Sequence, residues 1–511
     1  MAELPEFRSL WIDTTPAPDR SSGSLPTEAD VVVIGAGIAG LTTAYLLAEA
    51  GRPVLVLEAS TVGGGVSGHT TAKLTAQHGL IYRRLSEQKS LADAAAYGAH
   101  QLAALNWVAA TARSLGIDCE LERSAGYVYT TDPARRDTLR AEADAARAAG
   151  LPASYTDSVD LPLPVAGAVR FADQARFHPR RWLLGLAERF EALGGRIIEG
   201  VRATGVRSGR PAVVRTTAGV LRANQVVVAT HYPFLDRGLF FARLDPVRDL
   251  VVAGPLPTGL ALSGMYLDAD THHSVRLASA SGEPMLVVGG EHYRVGDSVD
   301  VRARYVRLAE WAREHLGLTD LRYRWSAHDM STVDGVPYVG RYHPGSRNLW
   351  VATGFGQWGM TGGTAAGLLL RDLVLERPNE LADLYDPNRL SLHAVPSLAS
   401  DNLTVAKHLA GDHLRALVST DLAELSPDEG VVTRAGATMV AAYRSTAGEL
   451  MCVSARCTHL GCLVAFNNAE RSWDCPCHGS RFAVDGSVLQ GPAVRPLRRL
   501  SAEESAGTSV G

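Results

Sequence analysis

Residues 30–58 read DVVVIGAGIAGLTTAYLLAEAGRPVLVLE. Asp30 to Ile34 is a short β-branched run, the pattern of a buried parallel strand. Gly35, Gly37 and Gly40 follow in Gly-x-Gly-x-x-Gly spacing, and a helix is expected from Leu41 to Ala50, closing at Gly51. A second strand, Pro53 to Leu57, ends in Glu58. In such a unit Gly35 permits the tight turn, Gly37 lets a pyrophosphate approach the backbone, and Gly40 lets helix pack on strand. Ala36, Ile38 and Ala39 complete the turn, whose free N–H groups at the helix N-terminus suit a phosphate. Glu58, followed by Ala59, is placed to accept from a ribose hydroxyl. Strand, glycines, helix, strand and acid in register predict a Rossmann-like dinucleotide-binding domain.

The second informative stretch lies near the other end. Of six cysteines, Cys119 stands alone and five fall between Cys452 and Cys477. They form Cys457-Thr-His459-Leu-Gly-Cys462 and Cys475-Pro-Cys477-His478-Gly-Ser480. Two thiolates for one iron and two imidazoles for the other is the donor set of a Rieske [2Fe–2S] centre, here Cys457, Cys475, His459 and His478. Zinc is the main alternative, but Cys-x-His is cramped for one tetrahedral ion, whose sites usually take Cys-x₂₋₄-Cys. Residues 417–497 resemble the Rieske domains of respiratory and photosynthetic cytochrome complexes. The resemblance implies a disulfide between Cys462 and Cys477 and a hydrogen bond from Ser480 to the cluster. Where that family often has a tyrosine bonding a ligand sulfur, this chain has Phe482. Losing a donor to sulfur destabilises the reduced, more negative cluster. The potential is therefore expected below that of the cytochrome-complex proteins, and Phe482→Tyr is expected to raise it in a potentiometric titration. Cys452, in the strand-like run Leu450 to Val453, reads as a structural cysteine.

Three further stretches resemble the D-amino-acid oxidase and glycine oxidase superfamily and favour FAD over NAD. Gly63-Gly-Gly-Val-Ser67-Gly-His69-Thr70-Thr71-Ala72 resembles its second flavin-contacting loop. Val226-Val-Val-Ala229-Thr230 resembles its late strand returning to the cofactor, with Ala203 also expected near FAD. Gly354-Phe-Gly356-Gln357-Trp-Gly359-Met360-Thr361 opens a helix whose N-terminus that family lays against the flavin, where the dipole stabilises negative charge. The implied fold is a glutathione-reductase type α/β FAD-binding domain, an inserted α+β mixed-sheet substrate domain, and a C-terminal all-β Rieske domain. The expected division is 25–90, 170–240 and 325–387 for the FAD domain. Residues 91–169 and 241–324 form the substrate domain, 388–416 a linker and 417–500 the Rieske domain.

The substrate pocket is less well marked. Many amino-acid-binding members place an arginine shortly before an Asp-Gly-x-Pro segment, to grip the substrate carboxylate. Here the segment is Asp334-Gly335-Val-Pro337, and Asp329 occupies the arginine position. A carboxylate there repels an amino-acid carboxylate and suits an ammonium; alternatively it ties down a local turn. Tyr266, His292 and Arg294 are further pocket residues to test. His69 either contacts the flavin non-covalently or tethers it, as a histidine does in some members. His408 and His413 have the spacing of a mononuclear iron site, but Val405 replaces the acid such a site needs.

Composition sets outer limits. The 511 residues suggest two to four domains. A formal net charge of −4 offers no basic footprint for nucleic acid. The chain has only three lysines, Lys73, Lys89 and Lys407. No apolar run is long enough for a membrane span and the first 28 residues lack an export pattern, so the cytoplasm is expected. FAD accepts a hydride equivalent and a Rieske cluster carries single electrons. The pairing suggests a dehydrogenase that oxidises a C–N bond of an amine or amino-acid-like substrate and passes electrons to an external one-electron acceptor. The alternatives are reverse flow, in a reductase or monooxygenase, and a redox protein without substrate turnover. The whole chain resembles bacterial FAD–Rieske fusion proteins, which implies the cofactors and leaves substrate and oligomeric state open.

Overall fold

A computed structural model describes residues 4–21, 23–297, 300–389, 421–501 and 504. The quoted N-terminal segment forms the centre of an eight-stranded sheet. Its order is Tyr338–Arg341, Leu349–Thr353, Gly219–Val228, Glu28–Ile34, Val54–Leu57 and Arg196–Ile198. The hairpin Ala203–Arg207 and Ala212–Thr216 extends from Gly219–Val228. Glu28–Ile34 runs parallel to both neighbours, Val33 pairing with Val56 and Val227. Its valines are fully buried because helices cover one face and the hairpin of residues 203–216 with Tyr232 and Phe240 covers the other, so the run is continuously apolar rather than alternating. Helices Ile38–Glu49 and Gly359–Val374 cross closely: a Cβ on Gly363 would lie 2.7 Å from Ile38, and one on Gly367 2.6 Å from Thr42.

A nine-stranded mixed sheet stands beside it, in the order Tyr323–Thr332, Leu244–Pro255, Glu283–Arg294, Ser274–Ala280, Met265–Asp268, Glu122–Thr130, Gly167–Arg176 and Lys73–Leu74. Ala153–Thr156 pairs with Gly167–Arg176, and Met265–Asp268 is parallel to Glu122–Thr130. Two strands cross the divisions expected from sequence: Gly167–Arg176 runs through residue 170 and Tyr323–Thr332 through residue 325, each unbroken within this sheet. Neither carries a Gly or Pro at the expected boundary to mark one.

The C-terminal part holds a three-stranded sheet, Glu429–Ala435, Thr438–Arg444 and Leu450–Ser454. A four-stranded sheet follows, Ala465–Asn467, Ser472–Asp474, Arg481–Ala483 and Val488–Gln490. The expected linker lies outside the described residues beyond Arg389, as do His408 and His413. No helix among the described residues is long and apolar enough to cross a membrane.

Candidate functional site

Gly35 turns the chain at φ +108°, and a Cβ there would lie 2.4 Å from the Ala229 carbonyl oxygen. A Cβ on Gly40 would lie 2.0 Å from the Gly35 carbonyl, so helix and strand close only on glycine. Gly37 caps the helix without a side-chain hydrogen bond, which leaves its N-terminal N–H groups for an anion. Ser67 Oγ takes one of them, from Ile38, at 3.1 Å. Glu58 accepts from the backbone N–H of Ala36 and of Ser60, each at 2.8 Å. Loss of water around that carboxyl raises its pKa.

These groups open onto a cavity of about 620 Å³. Gly35, Gly37, Ile38, Ala39, Glu58 and Ala59 line it from the fingerprint. Ser67, His69, Thr70 and Thr71 line it from the following loop, and Ala203, Ala229 and Thr230 from the strand ends. Gln357, Gly359 and Met360 line it at the start of the helix Gly359–Val374, again without a side-chain cap. Ala36, Gly40, Gly354, Gly356 and Thr361 stand behind the wall. Thr361 Oγ1 accepts from Thr75 N at 2.8 Å, and Gly356 N donates to the Met330 carbonyl at 2.9 Å. His69 Nδ1 donates to the Gly65 carbonyl at 2.9 Å. A glycine cradle, two uncapped helix N-termini and an acid on the cavity wall fit FAD.

The catalytic expectations divide. Asp329 lines the cavity, and its two oxygens accept from Met330 N at 2.7 Å and Gln357 N at 2.6 Å. It therefore ties down the turn that presents Gln357. Burial raises its carboxyl to about 7 against the pull of those two donors, and Asp249 adds to the rise. His292 stands behind the lining, with Nδ1 3.3 Å from Asp249 Oδ1 and 3.2 Å from Gln357 Nε2. Its ring stacks on cavity-lining His272 at 5.6 Å. Tyr266 requires correction. It is fully buried, stacked on Tyr127, its hydroxyl tied to Asp160 and to Gly264 N, and it does not reach the large cavity. Its strand turns that side chain into the core beneath the sheet. Arg294 pairs with Asp245.

Among the cavity residues that escaped the sequence reading, two bear on substrate chemistry. Asp249 lines the cavity beside Gln357. Lys73 also lines it, its ammonium 3.2 Å from Thr71 Oγ1. Loss of water and the Arg276 guanidinium bring Lys73 down to about 7, against the pull of Asp249. One signal was present: a lysine directly after the flavin loop, in a chain with three lysines.

Near the other end of the chain, Cys462 and Cys477 are disulfide-bonded. Cys457 and Cys475 are free and buried. The sulfurs of Cys462, Cys475 and Cys477 lie close together, but two are committed to the disulfide and offer a metal no thiolate. The His459 and His478 rings are 4.9 Å apart at 89°, and the Nδ1 of each is buried without a partner. Two unpaired imidazole nitrogens beside two free thiols fit the mixed donor set of a [2Fe–2S] centre. His459 Nε2 meets Asp236 Oδ1 at 3.0 Å, which leaves Nδ1 for iron. The fully buried Ser480 hydroxyl accepts from Ala493 N at 3.0 Å and, together with Cys475, helps to lower the pKa of the Cys457 thiol. Phe482 is fully buried against Trp473 in the neighbouring strand.

The two sites meet. Phe241 packs edge-on against His478 at 5.7 Å, and Arg202 donates to the Val488 carbonyl at 3.0 Å. Glu470 is buried between Arg248, at 2.7 Å, and Arg481. Leu489, Gln490, Gly491, Ala493 and Val494 line the same cavity as the glycine cradle.

A family model described as FAD dependent oxidoreductase matches residues 30–373, and one described as Rieske [2Fe-2S] domain matches residues 416–501. A protein named as a Rieske 2Fe-2S iron-sulfur protein, YhfW of Bacillus subtilis (strain 168), is 34% identical over 502 residues, covering 98% of each chain. The gamma-glutamylputrescine oxidoreductase of Escherichia coli (strain K12) is 25% identical over 357 residues, 68% of this chain and 83% of its own. Glycine oxidase from Geobacillus kaustophilus shares the fold at a TM-score of 0.60 and 23% identity, covering 71% of this chain and 100% of that one. The chain belongs to the FAD dependent oxidoreductase family and carries a C-terminal Rieske [2Fe–2S] domain.

Proposed function

We propose that the protein is a dehydrogenase that oxidises the C–N bond of a cationic amine and delivers the electrons through its Rieske cluster to an external one-electron carrier. Bound FAD supplies two-electron acceptance from the substrate carbon, and the cluster supplies one-electron carriage. The observation that carries the reading is the shared cavity: residues of the Rieske edge wall the space that the dinucleotide cradle opens onto. An enzyme that gave its electrons straight to oxygen would need no such arrangement.

Asp249 and Asp329 face the cavity, and Asp249 is the better placed to hold an ammonium: its partners are the His292 and Gln357 side chains, which can turn aside, whereas Asp329 is held by two backbone N–H groups. Lys73 faces the same space, and as a free base it takes the proton an ammonium must lose before its C–N bond is oxidised. Likeness to gamma-glutamylputrescine oxidoreductase and glycine oxidase supports an amine over an alcohol. The test is anaerobic titration with N-substituted diamines and N-methyl amino acids. A cationic amine should bleach the flavin and then raise the reduced-cluster EPR signal. Bleaching never followed by that signal, or bleaching by a reduced carrier alone, overturns the reading.

The pH dependence of binding has a definite sign. The Asp249 hydrogen bond raises the His292 pKa above its ordinary 6.5, with burial opposing. Below that raised pKa the imidazolium neutralises Asp249, and above it the carboxylate offers its full charge to the substrate. KM should therefore fall as pH rises through the His292 titration. Asp249→Asn should raise KM about 10–100-fold, from about 1.5–3 kcal/mol for a hydrogen bond to a charged group, and erase that pH step. Steady-state KM against pH, with ferricyanide as acceptor, checks both.

A further inference from the structure

Along Tyr323–Thr332, Ala327 and Asp329 line the FAD cavity, so His328 between them points to the opposite face. What it meets there is the Rieske ligand loop. Its Nε2 would lie 2.8 Å from a Cβ on Gly479, the residue after cluster ligand His478, so that glycine is what lets the ring approach. Its Nδ1 donates to Gln490 Oε1 at 3.1 Å, and Gln490 itself lines the cavity. On the flavin side, His231 follows Ala229 and Thr230 out of the central strand and also lines the cavity. Its backbone is held at φ +66°, a conformation that a residue with a side chain seldom adopts without a reason. The two rings are 5.5 Å apart, edge to face at 74°. Each has a buried Nε2 without a partner, so the hydrogen bonds of the fold leave one nitrogen of each ring unexplained.

We propose that His231 and His328 form the bridge by which electrons cross from the FAD cavity to the Rieske cluster, an inference that rests on the dehydrogenase reading above. Electron tunnelling weakens steeply across empty gaps, and two aromatic rings in contact fill the space between the flavin strand and the ligand loop. Each passage moves one electron from reduced FAD to the cluster, taking one ferric iron to ferrous. Two passages empty the flavin, its two protons pass to solvent, and a one-electron acceptor outside the protein reoxidises the cluster after each.

The test uses the anaerobic holoprotein with both cofactors oxidised. A flash-generated deazaflavin reductant delivers electrons to FAD, with FAD-stripped protein as the blank for direct cluster reduction. Cluster reduction is followed by absorbance and freeze-quench EPR. His328→Leu and His231→Leu should each slow flavin-to-cluster transfer by at least about tenfold, about 1.4 kcal/mol of barrier, with both cofactor potentials unchanged. The two variants lie on different elements, so one misfolding leaves the other to decide. Wild-type transfer rates in the variants, or a slowing accounted for by a shifted potential, overturn the bridge alone. Absence of transfer in the wild type overturns the bridge and the dehydrogenase reading together.

Discussion

Lys73→Met should lower the rate of flavin reduction by a cationic amine about 10²–10⁴-fold, the usual worth of a positioned proton acceptor. Burial and the nearby Arg276 bring Lys73 down to about 7, so in the native protein the rate should climb as pH rises through about 7. The variant should lose that limb of the profile while retaining bound FAD. Lys73→Arg should not rescue it, because a guanidinium stays protonated throughout this range. Stopped-flow bleaching at saturating substrate across the pH range reads all three. A profile unchanged in Lys73→Met would remove Lys73 from the chemistry. Stability carries the same signature: the folded pKa is below the ordinary 10.5, so stability rises with pH between about 7 and 10.5, and the methionine variant should flatten that slope.

Glu470→Ala should be the most damaging single change at the junction of the two redox units. Glu470 exposes 1% of its side chain and lies between the guanidinium groups of Arg248 and Arg481, with the Ser326 hydroxyl at 2.6 Å. Removing it leaves Arg248 buried with no carboxylate partner and Arg481 with Asp474 alone, a loss of about 3–5 kcal/mol. Because Glu470 and Arg481 also line the cofactor cavity, the variant should release FAD faster on dilution, read by flavin fluorescence. Burial pulls the Glu470 carboxyl upward, but the two guanidinium groups outweigh it and hold the pKa below its ordinary 4.5. The native junction should thus be at full strength above about pH 4.5 and weaken as pH falls through the lowered pKa. A wild-type urea midpoint together with wild-type FAD retention in Glu470→Ala would show that the network does not hold the junction.

The parts of this protein that could be read from sequence are those whose chemistry is local. Gly35, Gly37, Gly40 and Glu58 sit within one strand–helix–strand unit, and steric closeness of backbone to backbone admits only glycine at two of those positions. Cys457, His459, Cys475 and His478 lie on two short loops, so their donor types and spacing declare a mixed Cys/His cluster before any fold is known. Asp329 was found as a departure from a pattern, but its alternatives separated only when both oxygens were seen to accept from Met330 and Gln357. Tyr266 was misread because a tyrosine on a strand of an inserted sheet carries no mark of which face it takes.

What sequence alone determined is therefore the pair of cofactors and the α/β and all-β units that hold them, since each is specified by residues within a short reach of chain. Tertiary structure decided what happens between the units. Lys73 and Asp249 converge on one cavity from strands that are not sheet neighbours, Glu470 reaches Arg248 across 222 positions, and His328 meets Gly479 only because Tyr323–Thr332 presents its alternate face to the Rieske loop. Such contacts are set by sheet order, strand register and domain docking, which depend on the packing of the whole chain and leave no periodicity or spacing in any one segment.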